Sequence, residues 1–451
     1  NKMATDVAGH RWKLTIYFVL FMLIATLASC AKDAKTNSGK KGNKRNLNIA
    51  SDTRFLLYDC NPGEGFNLRR DVYIRIANLV KKLNTIEPWT LVLPPWGRLY
   101  HWKSNVEQMK IPWSLFFDIE SLNAHIPVIE MEEYISVIGK PEVEEMYYLQ
   151  RFKEGWNGGK WEEKLERREC LENWGYALGD DNNWHGWFWG YNKFSAKHFE
   201  CLSVQMEACS MTTFLTKETR AKSVMLHRGE QLIHGAFDSW SSEWWSARRS
   251  LRFAKHLREV AADFRAKFLD SNDEKDNTLF EDDWRGMYRK PGEAKGGPYV
   301  AVHLRRRDFL YSHEKEVPSI EESANQLEKI LDEQRVTKLF VASDMPRSEY
   351  DELKHHLNGY QVHRFIPDSD LLDLYKDGGI AIIDQIICSH AKYFVGTSVS
   401  TFSFRIHEER QILGFNPDMT YNRLCGKEEG KCDQPSSWPV KYPTNNKHTE
   451  L

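Results

Sequence analysis

Phe55-Leu56-Leu57-Tyr58 is an unbroken apolar run that gives way to the turn Asn61-Pro62-Gly63-Glu64-Gly65-Phe66-Asn67. No other segment limits the possible folds as much. A short run apolar on both sides reads as a strand buried on both faces, as in a parallel sheet, rather than a half-solvated one. Beyond the turn, Leu68, Val72, Ile76, Leu79 and Leu83 recur at helical spacing, and Lys81 and Lys82 fall in the last turn, where cations suit the helix dipole. Trp89-Thr90-Leu91-Val92-Leu93 is the next strand, stopped by Pro94-Pro95. Strand, helix, strand predicts a doubly wound α/β sheet.

The same alternation returns later. Short apolar strands are expected at 299–304, 339–342, 362–365 and 393–395, with a helix over 380–391, which makes a second Rossmann-like sheet. Between the two sets, one long amphipathic helix is expected over 244–269, with Phe253, Leu257, Val260, Phe264 and Phe268 on its apolar face. A chain of 451 residues exceeds one ordinary core, so two domains are expected, 51–247 and 248–445. The aromatic stretch 144–245 shows no clear period, and the acidic stretch 271–283 reads as a solvated loop.

A formal net charge of −2 gives no general basic field, so binding to nucleic acid or acidic membranes is not expected and any phosphate recognition must be local. His10, Arg11 and Lys13 precede an uncharged run from Leu14 to Cys30 that ends in small residues, the pattern of a signal peptide over 1–31. A type II signal anchor is the alternative. Residues 32–50, polar and without apolar period, read as a disordered stem. The tail 446–451 ends His448-Thr449-Glu450-Leu451, a variant of the endoplasmic reticulum retrieval signal. An oxidising lumen agrees with the expected disulfides, Cys170 with Cys201 and Cys425 with Cys432, while Cys60, Cys209 and Cys388 are expected as free, mostly buried thiols. The sequence contains no Asn-x-Ser/Thr sequon.

Ligands of parallel α/β sheets bind beyond the carboxyl ends of strands. The Gly63-Glu64-Gly65 turn opens a helix whose free N–H groups suit an anion, and its glycines allow close backbone approach. Glu64 is either a catalytic carboxylate or a helix cap. In the second half, Val300-Ala301-Val302-His303-Leu304-Arg305-Arg306-Arg307-Asp308 runs a strand into three arginines. A guanidinium fork matches a diphosphate, and Arg305 is the expected binder, with its neighbours pairing Asp308 or solvent. Gly396-Thr397-Ser398-Val399-Ser400-Thr401-Phe402-Ser403 suits either a phosphate or an ordinary N-cap. Asp384, alone in an apolar run, needs a partner, for which the N–H groups of a guanine are one possibility. Asp368-Ser369-Asp370 resembles a metal-holding acidic pair, but helix capping explains it better, so a site without metal or other cofactor is expected, with arginine offsetting the charge of the leaving diphosphate.

Taken in order, the Asn-Pro-x-Glu-Gly-Phe-Asn turn, Leu93-Pro94-Pro95-Trp96-Gly97-Arg98, His303-Leu304-Arg305-Arg306 and the 396–402 turn resemble the GDP-fucose protein O-fucosyltransferase 2 family, over about 55–442. The resemblance implies a GT-B fold, two Rossmann-like domains with the site in the cleft. It also implies inverting transfer of fucose from GDP-fucose to Ser or Thr of folded thrombospondin type 1 repeats. On these positions it implies Glu64 as catalytic base, Arg305 as stabiliser of the departing GDP, and a donor pocket of Gly63, Glu64, Gly65, Phe66, Asn67, His303, Arg305, Asp384, Thr401 and Phe402. The family's disulfides fall on the same two cysteine pairs. The implied setting is a monomer of the endoplasmic reticulum lumen. A luminal, chaperone-like binder of thrombospondin repeats, which loss of Glu64 or Arg305 would have favoured, and an enzyme fucosylating a glycan, which an acceptor panel separates from the first reading, are the alternatives.

Overall fold

The computed structural model describes residues 49–443, apart from 98, 156–160, 172–174, 236–239, 427–431 and 436. The expected leader 1–31, nearly all of the stem, Arg98 and the tail 446–451 lie outside the described residues.

The first strand forms where its pattern places it. β1 (Arg54–Tyr58) is buried at all five positions. It lies parallel between β2 (Trp89–Leu93) and β9 (Ser223–His227), both equally buried. β2 carries β3 (Val128–Glu130) on its far side, and β9 carries β4 (Glu142–Gln150) and then β8 (Ser195–Gln205), all parallel. Three short antiparallel strands, β5 (Lys164–Arg167), β6 (Ala177–Leu178) and β7 (Trp184–His185), extend this sheet beyond β8. They occupy the aromatic stretch that has no readable period.

The second sheet is all parallel, in the order β12 (Gln361–His363), β11 (Lys338–Ser343), β10 (Gly297–Leu304), β13 (Ala391–Val395). In both sheets the chain first builds outward on one side of the opening strand and later returns to its other side. β1 and β10 therefore each lie at a topological switch point, where the flanking connections part and leave a crevice. The Glu64 turn and the Arg305 cluster are the segments that follow those strands. β10 alternates as a strand must: Val300, Val302 and Leu304 join a small core under Leu327 and Val341, whereas Tyr299 and Ala301, on the His303 face, join the large one.

That large core is continuous from Leu56 and Trp96 on the first sheet's side to Phe340 and Ile383 on the second's. Helix α1 (Phe66–Leu83) follows the turn and buries Val72, Ile76 and Leu79. The single helix expected over 244–269 is instead two, α2 (Ser242–Ser250) and α3 (Lys255–Phe268). Tertiary pairing breaks it. Phe253 bridges Phe117, the Arg252 carbonyl accepts from Asp118 N at 2.9 Å, and Ala254 N donates to the Phe116 carbonyl at 3.0 Å. Phe253 thus leaves the helical face, and Phe268 is more than a third exposed. The second sheet is completed by α4 (Ile320–Gln334), α5 (Arg347–His356), α6 (Ser369–Ser389) and α7 (Thr401–Leu413).

α6 is bent at Lys376, φ 60°, a conformation an L-residue adopts at a cost. The bend lets Gly378 press on the first half. A β-carbon there would lie 2.6 Å from Phe116 and 2.7 Å from Trp102, so only glycine allows this approach. Both expected disulfides are present, Cys170–Cys201 and Cys425–Cys432, and Cys60, Cys209 and Cys388 are free.

Candidate active site

Each wall of the crevice is built from a strand end. On the first wall, the 61–65 turn closes with Glu64 N donating to the Asn61 carbonyl at 2.9 Å. Arg69, one turn into α1, clamps it from within the helix: Nε donates to the Glu64 carbonyl at 3.0 Å, Nη2 to the Asn61 carbonyl at 3.1 Å and Nη1 to Asp59 at 3.4 Å. Glu230 accepts from Asn61 N at 3.1 Å. Neither Gly63 nor Gly65 adopts a positive φ, so the turn itself does not require them. Gly65 is closely packed, since a β-carbon on it would stand 3.3 Å from the His101 ring; beside Gly63 there is open space.

The N-cap of α1 is Gly65, and no side chain caps the helix. Glu64 is therefore not a cap. Its half-buried carboxylate accepts no hydrogen bond from the described residues, and burial, then the like charge of Glu230, raises its pKa against the opposing pull of Arg69. Phe66 turns away from the crevice into a cluster of rings, 4.9 Å from Trp96 and 5.7 Å from Phe116. What Phe66 offers a ligand is the unsatisfied backbone N–H of a first helical turn. Asn67 faces the second half, where Gln385 Nε2 donates to its Oδ1 at 3.0 Å. Buried Arg70 joins them, donating to Gln385 at 2.8 Å and to Asn67 at 3.3 Å.

On the opposite wall, β10 ends at Leu304, and Arg305 enters the crevice. Its Nη1 donates to Asp344 at 2.7 Å and its Nη2 to Asp308 at 2.5 Å and to His101 Nδ1 at 3.1 Å. Arg305 itself, rather than its neighbours, pairs with Asp308. Arg306 is buried, donating to Glu349 and to the Pro318 carbonyl, and Arg307 donates to the Asp344 carbonyl. Buried His303 stacks on Phe402 at 4.3 Å and shares a hydrogen bond with Ser403 at 2.9 Å. Burial, and then Arg305, holds its pKa down at about 3, so its ring is neutral.

The hydroxyl-rich turn does not cap α7: Ser400 makes no capping bond. Its hydroxyls brace the strand end instead. Thr397 Oγ1 donates to the His303 carbonyl at 2.7 Å and accepts from Arg305 N at 2.9 Å, and Ser403 Oγ accepts from Thr397 N at 3.1 Å. α7 thus begins, at Thr401 and Phe402, with N–H groups that no N-cap side chain satisfies, a disposition that favours an anion. Asp368 caps α6, accepting from Leu371 N at 2.8 Å.

Beyond the carboxyl ends of β11 and β12 lies a cavity of about 600 Å³, lined among others by Ser343, Arg364, Phe365, Ile366 and Asp384. Asp384 Oδ1 is buried without a partner among the described residues, and burial pushes its carboxyl up to about 8. An unpaired buried acceptor facing a cavity at the end of a parallel sheet is a ligand contact in waiting.

His101, Asp344, Arg69, Glu230 and Gln385 belong to this site and do not emerge from the sequence alone. His101 carried a signal, since it stands three residues past the Trp96-Gly97-Arg98 strand end. Its ring lies against Gly65 on one side and Arg305 on the other, so one imidazole separates the two walls.

The sequence matches the family described as GDP-fucose protein O-fucosyltransferase over residues 55–413. It is 52% identical to the human GDP-fucose protein O-fucosyltransferase 2 over 394 residues, 87% of this chain and 91% of that one. It is 43% identical to the Caenorhabditis elegans protein of the same name over 401 residues, 87% and 92% of the two chains. The crystal structure of POFUT1 in complex with GDP-fucose superposes with a TM-score of 0.53 at 18% identity, covering 83% of this chain and 99% of that one. The fold is of the GT-B type. The chain belongs to the GDP-fucose protein O-fucosyltransferase family and is a fucosyltransferase enzyme.

Proposed function

We propose that this enzyme transfers fucose from GDP-fucose, with inversion and without a metal ion, to a Ser or Thr hydroxyl of a folded thrombospondin type 1 repeat in the lumen of the endoplasmic reticulum, acting as a monomer. One observation carries the reading: the turn that bears an unpartnered carboxylate at one switch point and a fixed guanidinium at the other are joined by a single imidazole ring, His101, which lies against Gly65 and accepts from Arg305.

The donor lies across the second sheet's carboxyl edge. Asp384 accepts from guanine N–H groups in the cavity, the free N–H groups of Thr401 and Phe402 and the Arg305 fork take the diphosphate, and His303 on Phe402 forms the floor. The fucose then projects toward the Glu64 turn. Glu64 removes the proton of the acceptor hydroxyl as its oxygen attacks the anomeric carbon, and the bond to GDP breaks on the opposite face. The raised pKa of Glu64 brings the base nearer to a working pH. Arg305 offsets charge growing on the diphosphate, the part a metal plays in other sites.

Incubation with GDP-fucose and a folded thrombospondin repeat tests this directly: one fucose per modified hydroxyl is expected, in the inverted anomeric configuration by NMR and undiminished by EDTA. Transfer to a free glycan but not to the repeat overturns the acceptor; retention of configuration overturns Glu64 as base.

A further inference from the structure

We propose that His101 is a positioning residue for the transfer, its Nδ1 holding the Arg305 guanidinium at the reacting centre from the opposite wall. The inference rests on the proposed function of the site.

Arg305 has three side-chain hydrogen-bond partners among the described residues. Asp308 and Asp344 belong to its own half and draw the guanidinium back toward the strand ends. His101 alone reaches it from the first half, at 3.1 Å. An arginine only donates, so Nδ1 must be the unprotonated acceptor and the ring proton sits on Nε2, on the edge that lies against Gly65. The groups around the ring agree with that state. Desolvation, and then the charge of Arg305, lower its pKa; Asp308 and Asp344 oppose them and Lys103 adds to them.

The segment bearing His101 is held in the second half's frame. Asp377, next to the Lys376 bend of α6, accepts from Ser104 N at 3.0 Å and from Gln108 Nε2 at 3.3 Å, and Gln108 Oε1 accepts from Asp377 N at 3.2 Å. The ring is therefore fixed relative to both Arg305 and the turn. A guanidinium fork held on three sides keeps its N–H groups aimed at one place, which spares reorganisation when charge develops. A merely space-filling ring would not depend on which atom stands at the Nδ1 position.

The test uses the full chain with His101→Leu, which keeps bulk and removes the acceptor, and His101→Asn, whose Oδ1 stands where Nδ1 stood. Melting temperature, GDP affinity by calorimetry, and kcat and KM for GDP-fucose are measured for each. Expected are unchanged melting, a kcat loss of about ten- to hundredfold in His101→Leu, the worth of a hydrogen bond to a charged group, and a smaller weakening of GDP. His101→Asn is expected to recover most of both. Equal losses in the two variants, or none in either, overturn the proposal. Should the wild-type protein not transfer fucose from GDP-fucose, the proposed function falls, while the GDP affinities of the two variants still decide the role of His101.

Discussion

The two strand ends that meet in the crevice are built on opposite plans. After β1, Glu64 is held by its backbone, through Arg69 and the Asn61 turn, while its carboxylate is left without a hydrogen bond from the described residues. After β10, Arg305 is held by its side chain, with two carboxylates and an imidazole on one guanidinium. A base must gain and lose a proton, and any donor fixed on it would stabilise its charged form and weaken it. A group that offsets charge must be in place beforehand, and partners on its far N–H groups keep it there. Each end is fixed by the part that does not react.

The largest break in this comparison comes from Glu64→Ala. It is expected to fold with unchanged melting and to lose about 10²- to 10⁴-fold in kcat, the range for a missing general base, with GDP affinity kept; a fully active variant rules out Glu64 as base. Arg305→Ala comes next. A loss of about 10²- to 10³-fold in kcat is expected, as for a missing charge-stabilising donor, together with weaker GDP binding by calorimetry, which the Glu64 variant does not show.

Asp384 sharpens the contrast on the donor side, because its carboxyl titrates near pH 8 when the cavity holds no ligand. To accept two guanine N–H groups at once, one on each oxygen, it must be ionised, so binding favours the charged form and releases a proton. GDP affinity is then expected to fall about tenfold per pH unit below about 8 and to level off above it, following the linkage of protons to binding. Calorimetry in buffers of different ionisation heats reads that proton, and Asp384→Asn should abolish the pH dependence. The smallest effect concerns Glu230→Gln. It keeps an acceptor for Asn61 N and removes the like charge that raises Glu64. The acid limb of kcat/KM should move to lower pH, and an unmoved limb would mean that another group titrates there.

Much of the site was legible because strand ends are. Phe55 to Tyr58 and the strand ending at Leu304 are apolar runs cut off by turn and charge, and parallel topology puts ligands where such runs stop. The helical period likewise located α1. The break between α2 and α3 was hidden, because Phe253 fits a helical face as well as it fits the bridge to Phe117, and only the partner decides. Phe66 shows the same limit. It stands in the turn by sequence, yet its ring joins Trp96 and Phe116 in the core.

What the sequence by itself determined is the local chemistry: two parallel sheets, a carboxylate in a glycine turn, an arginine at a strand end, two cysteine pairs. The strands, the turn, the strand-end arginine and the Cys425–Cys432 pair are each set by residues within a few positions of one another, whereas Cys170 and Cys201 stand 31 positions apart. Only the tertiary structure decided which of these groups face each other. His101, Asp344, Asp377 and Gln385 lie dozens to hundreds of positions from the groups they hold, and long-range pairing leaves no period to read. Burial decided the rest, since desolvation and charged neighbours set the protonation states of Glu64, His303 and Asp384, and neither is a property of a residue's place in the chain.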